Sequence, residues 1–305
     1  MSQSARPNSM RLSVLIPFAA TTLIWGSTWI VIADQLGVVP PTWSVTYRFL
    51  LAGITLAGWA LWKGEGFRLP PRGFAFAAVL GLFQFVLNFN FVYRAEAHVT
   101  SGLVAVVFAL LLVPNAILGR IFLGQRLGRQ LLVGSVIAVV GIVLLFLHEI
   151  RGDPSATREV LLGIGLTLVG VLCVSVANVM QATETARAFP MITTLGWAML
   201  IAVAINALFA LTVAGPPVIE WRLGYLLGVA WLGIAGSAIA FTLYFGVIRV
   251  IGPAKAAYSS VLVPVLAMLF STLFEGYRWS WLAAAGALLA GVGLVTALSA
   301  RRPAR

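Results

Sequence analysis

Ten stretches of about 20 largely apolar residues follow one another along this chain of 305 residues, and they limit its possible folds more than any other feature. A helix of about 20 residues crosses the apolar core of a bilayer, and backbone polar groups in that core must be paired within the segment. The sequence therefore predicts an all-α integral membrane protein with ten transmembrane helices. The predicted spans are Leu12–Ala33, Pro41–Trp62, Gly73–Tyr93, Val99–Phe122, Gln130–Leu147, Val160–Met180, Met191–Val213, Leu223–Phe245, Ala254–Phe274 and Trp279–Leu298.

The composition excludes the main soluble classes. Only 10% of the residues are charged, compared with about 25% in an average soluble protein, so a soluble domain of this length could not cover its surface. With 61% hydrophobic residues the chain is not disordered either. A single cysteine, Cys173, excludes an internal disulfide, and two histidines leave little for a metal site. We therefore expect no metal, no cofactor and no catalytic set of an enzyme.

The basic residues predict the orientation in the membrane. A net charge of +11 would suggest nucleic acid as the partner of a soluble protein, but membrane proteins concentrate Lys and Arg in cytoplasmic loops. With both tails in the cytoplasm, 14 of the 20 basic residues lie in cytoplasmic segments, and Arg48 lies inside a span. The outer segments hold Arg94, Arg151, Arg158, Arg222 and Arg278. Both tails, residues 1–11 and 299–305, are therefore predicted to be cytoplasmic, and no nucleic-acid partner is expected.

The chain contains an internal repeat. Pro114 matches Pro264 at an offset of 150 residues, and Gln125 and Glu275 each follow their proline by 11 residues. The predicted repeats are residues 12–147 and 160–298, with five spans each. Because five is odd, the second repeat begins on the opposite side of the membrane. Such inverted repeats are typical of secondary transporters, which bind their substrate where the repeats meet.

Several short motifs accompany this repeat. They are Trp25-Gly26-Ser27-Thr28 in the first span, Arg48-Phe49 in the second, and the block from Pro114 to Gln125-Arg126, which recurs from Pro264 to Glu275. In their order and spacing the motifs resemble the EamA-type branch of the drug/metabolite transporter superfamily, over nearly the whole chain. The resemblance implies ten helices in inverted five-helix repeats, cytoplasmic termini, a bacterial inner-membrane location and transport of small metabolites, often amino-acid export. The family's usual acidic residue after the fourth helix is Gln125 here, so its charge is missing from the first repeat.

Polar residues inside the spans are the candidates for substrate contacts, because polar groups in lipid are costly and tend to face a cavity. In the third span, Gln84 and Asn88 lie four residues apart on one helical face. Amides both donate and accept, which suits the ammonium and carboxylate of an amino acid. The alternative is that these amides hydrogen-bond between helices.

The first span carries Trp25 and Trp29 on one stripe, and the sixth span, its pseudo-symmetric partner, carries Asn178 and Gln181. The family resemblance implies that these two helices line the central cavity. Indole faces attract cations and aromatic rings. The alternative is that the tryptophans mark a membrane interface.

Two further spans add aromatic candidates. Phe241 and Tyr244 share a stripe with Ser237 in the eighth span, and Tyr258 lies near the start of the ninth. A buried tyrosine hydroxyl needs a hydrogen-bond partner, and a substrate is one. The alternative for the serine is close packing at a helix crossing.

Four residues are candidates for hinges or gates. Pro114 and Pro264 each remove a backbone hydrogen bond within a span, and Gly236 is a flexible position in the eighth; static kinks are the alternative. Arg48 is the one formal charge deep within a span. Either it holds a substrate carboxylate or gates the outer mouth, or it pairs with helix C-terminal carbonyls or snorkels outward.

Small residues of the fifth and tenth spans are predicted to be close-packing points. They are Gly134, Gly141, Gly286, Gly291 and Gly293. A neighbouring face of the tenth span, formed by Ala283, Ala287 and Gly291, either joins two copies in a homodimer or packs within one chain.

The absence of charged residues from most of the spans limits the class of substrate. No Asp or Glu lies near the middle of a predicted span, whereas proton- or sodium-driven pumps usually bury a carboxylate. A phosphate carrier would need several deep Lys or Arg residues. The neutral, aromatic interior therefore predicts a secondary transporter that exports amino acids, especially aromatic or bulky neutral ones, by alternating access. Export of drugs or other small metabolites is the alternative.

Overall fold

The computed structural model describes residues 7–124, 129–152, 157–251 and 259–298, and the regular elements in these ranges are helices. They are α1 (Pro7–Asp34), α2 (Pro41–Trp62), α3 (Pro71–Glu96), α4 (Ser101–Leu123), α5 (Arg129–Gly152), α6 (Thr157–Gln181), α7 (Met191–Val213), α8 (Leu223–Ala230, Trp231–Ile239 and Ala240–Ile251), α9 (Ser259–Phe274) and α10 (Trp281–Leu298). A single helical turn, Glu184–Arg187, lies between α6 and α7. Seven helices are long and apolar enough to cross a membrane, and α5, α9 and α10 contain shorter apolar helices within the described ranges. The chain is an all-α, multi-pass membrane protein, and the full count of ten spans stays a prediction.

Prolines mark where several of these helices begin. Pro41 and Pro71 occupy the first position of α2 and α3, where their missing N–H is not needed and their fixed φ suits the helix. The bounds of α2 and α7 agree with the predicted spans. The third helix differs, because it continues past Tyr93 to Glu96. This extra turn places Glu96 in the helical bundle and not in a loop.

Three helices depart from regular α-helical hydrogen bonding. A π-helical segment, in which each bond spans five residues, occurs at Leu82–Leu87 in α3 and at Trp231–Ile239 in α8. A 3-10 turn, Ala109–Leu111, precedes Pro114 in α4, because Pro114 has no N–H to donate to the carbonyl of the residue four earlier. By contrast, the described part of α9 is one α-helix through Pro264. An interruption therefore accompanies only the first of the two prolines in the described ranges.

Contacts between loops show which helix ends lie together. Arg222, just before α8, donates to the carboxylate of Asp34 at the end of α1, with N–O distances of 3.1 and 2.9 Å. Its hydrogen bonds to Asp34, and then to Glu220, raise the pKa of the Arg222 guanidinium. We call this side of the molecule the Asp34 end.

Two more contacts lie at the Asp34 end. His98, which follows α3, pairs with Glu159 at the start of α6. Ser101, at the start of α4, donates its hydroxyl to Glu275, which follows α9, at 2.7 Å. Each of these contacts joins the end of an odd-numbered helix to the start of an even-numbered one. Helices α1, α3 and α9 therefore end on the side where α4, α6 and α8 begin.

Helices α5 and α10 cross at van der Waals distance through reciprocal glycines. A Cβ atom on Gly141 would lie 2.3 Å from the backbone nitrogen of Ala290, and a Cβ on Gly293 would lie 2.2 Å from that of Ala138. Only glycine allows the two backbones to approach this closely. Close packing was predicted for Gly291 as well, but a Cβ there would meet no atom within 4 Å.

The small-residue face of α10 was predicted either to pack within one chain or to join two copies, and the burial of its residues bears on this choice. Ala283 is fully buried within the chain, and Ala287 packs against the apolar cluster between α4, α5, α9 and α10. This face therefore packs internally at two of its three residues, and a homodimer stays a prediction.

Candidate functional site

An aromatic cluster fills the space where α1, α2, α3 and α8 meet. Its members are Trp25, Phe49, Phe85, Phe89, Phe241, Tyr244 and Phe245. The Trp25 ring lies 5.3 Å from that of Phe241 and 4.8 Å from that of Tyr244, and Phe85 meets Phe241 edge-to-face at 5.2 Å. The structure thus brings together three predicted residues, Trp25, Phe241 and Tyr244, from two distant helices. Apolar and aromatic walls of this kind are usual in small-molecule sites.

The π-helical segment of α8 presents its backbone to this cluster. The Gly236 carbonyl oxygen accepts from the Trp25 indole nitrogen at 3.2 Å and from Arg48 Nη2 at 3.4 Å. The Ser237 hydroxyl donates to the Leu232 carbonyl at 2.8 Å and accepts from Arg48 Nε at 2.9 Å. A π-segment widens the helix and leaves carbonyl oxygens available to side chains, which is why such segments recur at functional sites. Gly236 is therefore a junction between α1, α2 and α8.

Arg48 is buried, with only 1% of its surface exposed. Its guanidinium carbon lies 4.5 Å from the centre of the Phe89 ring and 5.6 Å from that of Phe49. Snorkelling outward is therefore wrong as an account of this residue. A bond to a helix carbonyl is found, but the acceptor belongs to a π-segment and not to a helix end. Nη1 has no hydrogen-bond partner in the described part of the chain.

Gln84 and Asn88 are both buried in α3, at 1% and 2% exposure. The Asn88 side-chain nitrogen donates to the Gln84 backbone carbonyl at 3.4 Å, within the same helix. Neither Gln84 Oε1 nor Asn88 Oδ1 has a hydrogen-bond partner among the described residues. A buried polar atom without a hydrogen-bond partner destabilises the fold by about 1–3 kcal/mol. These two acceptors are therefore available to a donor from a bound molecule.

The amide that does bond between helices is a neighbour. Asn90 Nδ2 donates to Asn206 Oδ1 of α7 at 2.7 Å, and the Asn206 amide nitrogen donates to the Phe85 carbonyl at 3.3 Å. The interhelical alternative thus applies to Asn90 and not to the two amides of the candidate site.

The two tryptophans of α1 face different surroundings, although their spacing puts them on one stripe. Trp29 packs on Phe108 of α4, with 5.6 Å between ring centres, in an apolar cluster against which Trp25 also packs. Its indole nitrogen is buried and lacks a partner within the described ranges. In α6, Asn178 and Gln181 are buried at 6% and 5% exposure.

Some of the predicted positions lie outside the described residues. Tyr258 is one, and Gln125 of the loop motif is another. The matching residue of the second repeat, Glu275, has a clear role: it accepts from the backbone nitrogen of Ser101 at 3.3 Å and from its hydroxyl at 2.7 Å. Glu275 therefore caps the start of α4, which explains an acidic residue at that distance from Pro264.

Sequence reasoning missed one buried acid. Glu96 is only 7% exposed, and neither carboxylate oxygen has a hydrogen-bond partner among the residues that the structure describes. The predicted span ends at Tyr93, which leaves Glu96 in the outer segment. The available signal was helical periodicity, since Asn88, Val92 and Glu96 are spaced by four residues and all three are buried.

A groove of about 370 Å³ lies elsewhere, between α1 and α8 near the Asp34 end. Its lining includes Leu227, Trp231 and Phe274, which are exposed apolar side chains. It does not coincide with the aromatic cluster, and we do not assign the substrate to it.

Comparison with known proteins agrees with this architecture. The model of the EamA-like transporter family matches residues 12–147 and again residues 161–299. The relative named "Uncharacterized inner membrane transporter YedA", from Escherichia coli (strain K12), is 31% identical over 94% of this chain and 93% of its own length. "Protein PagO" of Salmonella typhimurium is 23% identical over 88% of both chains, and "Protein PecM" of Dickeya dadantii is 27% identical over 82% of this chain and 80% of its own.

A solved crystal structure shares the fold. It superimposes with a TM-score of 0.70 at 23% sequence identity, covering 96% of this chain and all of the other. The family model spans both halves of the chain, and the relative from Escherichia coli is aligned over almost all of it. This chain therefore belongs to the EamA-like transporter family of the drug/metabolite transporter superfamily and is a multi-pass membrane transporter.

Proposed function

We propose that the protein exports small zwitterionic metabolites, foremost aromatic or bulky neutral amino acids, by alternating access through a cavity between two inverted repeats. One observation carries the proposal: buried polar atoms beside aromatic rings have no hydrogen-bond partner in the described ranges. These atoms belong to Gln84, Asn88 and Trp29. A zwitterion supplies both kinds of partner, since its ammonium donates to the amide oxygens and its carboxylate accepts from the indole.

Reciprocal contacts support the inverted repeats. A Cβ on Gly81 of α3 would lie 2.4 Å from the Ala198 carbonyl oxygen of α7, and a Cβ on Gly233 of α8 would lie 3.0 Å from the Arg48 carbonyl oxygen of α2. The third helix of each half thus packs on the second helix of the other half. Both third helices contain a π-segment, and the family model matches the chain twice. A pseudo-twofold axis between the halves accounts for all three features.

Besides the amides Gln84 and Asn88, the proposed binding residues include members of both repeats. Trp25, Phe241 and Tyr244 supply the aromatic wall, Asn178 and Gln181 supply polar groups from α6, and Tyr258 is the remaining member of the set. An aromatic wall is apolar and polarisable, so it favours amino acids with large side chains. The same wall would admit planar drug-like molecules, which is the alternative cargo.

The proposed moving parts are the irregular segments. The 3-10 turn before Pro114 and the π-segment around Gly236 have fewer regular backbone bonds to break, so they bend more readily than a continuous helix. Arg48 ties α2 to the second of these and acts as a gate, and Pro264 is the corresponding hinge in the second repeat. We place the protein in a bacterial inner membrane with cytoplasmic termini, as the name of the relative from Escherichia coli and the distribution of basic residues support.

The combined substitutions Gln84→Ala and Asn88→Ala are expected to abolish most amino-acid flux. Each removes a hydrogen bond to substrate worth about 1 kcal/mol, so together they weaken binding about 30-fold. Efflux of radiolabelled phenylalanine from proteoliposomes measures this. Asn90→Ala is the matched control, because its amide bonds to Asn206 and should affect stability more than flux per folded protein.

Two outcomes would count against these assignments. Undiminished phenylalanine efflux in the double variant would show that the amides are not in the binding site. Efflux of other metabolites from a panel, with no amino acid moved by the wild type, would favour the alternative cargo.

A further inference from the structure

The two acidic groups at the Asp34 end of α3 and α9 have different surroundings. Glu275 accepts two hydrogen bonds from Ser101 and is held in place by them. Glu96 is only 7% exposed and has no hydrogen bond at either oxygen within the described ranges. An ionised carboxylate is very costly in a buried site without partners, whereas the protonated acid is tolerated there.

Charged neighbours of both signs act on Glu96. They are Glu275 and Arg48 of α2, and no ion pair joins Arg48 and Glu96 in the part of the chain described. Of the nearby titratable groups, Tyr93 donates to Gln35 at 3.3 Å and His98 is paired with Glu159. Whether the Glu96 carboxyl group is protonated or ionised therefore depends on its distance from Arg48. Arg48 is in turn hydrogen-bonded to the π-segment of α8.

We propose that Glu96 is a proton-binding site that couples export to proton entry; this inference rests on the proposed transport function. The carboxylate takes one proton from the solution at the Asp34 end and becomes a neutral acid, which the bundle encloses. When α8 moves and Arg48 approaches, the ion pair replaces the proton, and the proton leaves toward the opposite side. One proton enters for each substrate that leaves.

Two flux measurements on the purified protein in proteoliposomes test the coupling, with radiolabelled phenylalanine as the probe. The first is exchange at equal pH, which needs no gradient, and the second is export toward an acidic solution. We expect the wild type to accelerate toward the acidic side and Glu96→Gln to retain exchange while losing this response. Glu184→Gln, an exposed acid at the other end, should respond as the wild type does. A wild type indifferent to the pH gradient, or a Glu96→Gln variant that responds normally, overturns the coupling.

An infrared spectrum tests the proton itself without any substrate. A carbonyl stretch of a protonated carboxylic acid should be present at neutral pH in the wild type and in Glu275→Gln, and absent in Glu96→Gln. No such band in the wild type would refute the proton site. Absence of phenylalanine exchange by the wild type, with the band present, would instead count against the proposed substrate and leave the proton site supported.

Discussion

Replacing Arg48 by alanine is expected to destabilise the folded protein by about 1–3 kcal/mol, because two buried acceptors each lose a hydrogen bond from a charged donor. Ser237 Oγ and the Gly236 carbonyl lose a charged donor, and Phe89 loses the guanidinium that lies 4.5 Å from its ring centre. The π-segment of α8 then loses its attachment to α2, so transport should fall together with stability.

Thermal unfolding in detergent measures this effect. Arg48→Lys should rescue little, because a lysine cannot donate to two acceptors through a planar fork or stack on a ring in the same way. Arg94→Ala is the control: Arg94 is only partly buried and donates to Thr42 at 3.3 Å, so its loss should be mild. Equal melting temperatures for Arg48→Ala and Arg94→Ala would show that the Arg48 contacts contribute little.

Gly293→Ala and Gly141→Ala are expected to destabilise the protein by about 1–3 kcal/mol each, because the added methyl group overpacks the crossing of α5 and α10. A Cβ added at Gly293 would meet backbone atoms at 2.2 and 2.6 Å, and backbone cannot rotate away as a side chain can. Because the two sites are reciprocal, the two variants should lose similar stability.

Gly291→Ala is a matched control on the same helix. No atom lies within 4 Å of its Cβ position, and alanine favours a helix over glycine by about 1 kcal/mol. This variant should therefore melt at or above the wild-type temperature. If Gly293→Ala has the same melting temperature as Gly291→Ala, the inference that α5 and α10 cross closely at Gly293 is wrong.

Some of the candidate site was predictable and some was not. Trp25, Phe241 and Tyr244 could be selected as candidates because they are aromatic residues within apolar spans, and their rings are in contact in the structure. The two tryptophans of the stripe contact different helices, because Trp25 bonds to α8 and Trp29 packs on α4. The π-segments could not be predicted from the sequence, because a π-segment depends on the contacts that the whole helix makes. The burial of Glu96 was not predicted, because the predicted third span stops at Tyr93 and the helix continues to Glu96.

The sequence alone determined the all-α membrane fold and the family, because the length of an apolar stretch and the order of short motifs are local properties. Arg48 shows what only the tertiary structure decided. Its partners Gly236 and Ser237 lie nearly 190 residues away, and they reach it because α2 and α8 pack together at Gly233. Whether a polar group within a span is bonded, unpaired or charged depends on which helix covers it. That depends on packing between helices, because lipid supplies no hydrogen bonds and each polar group must find its partner within the bundle.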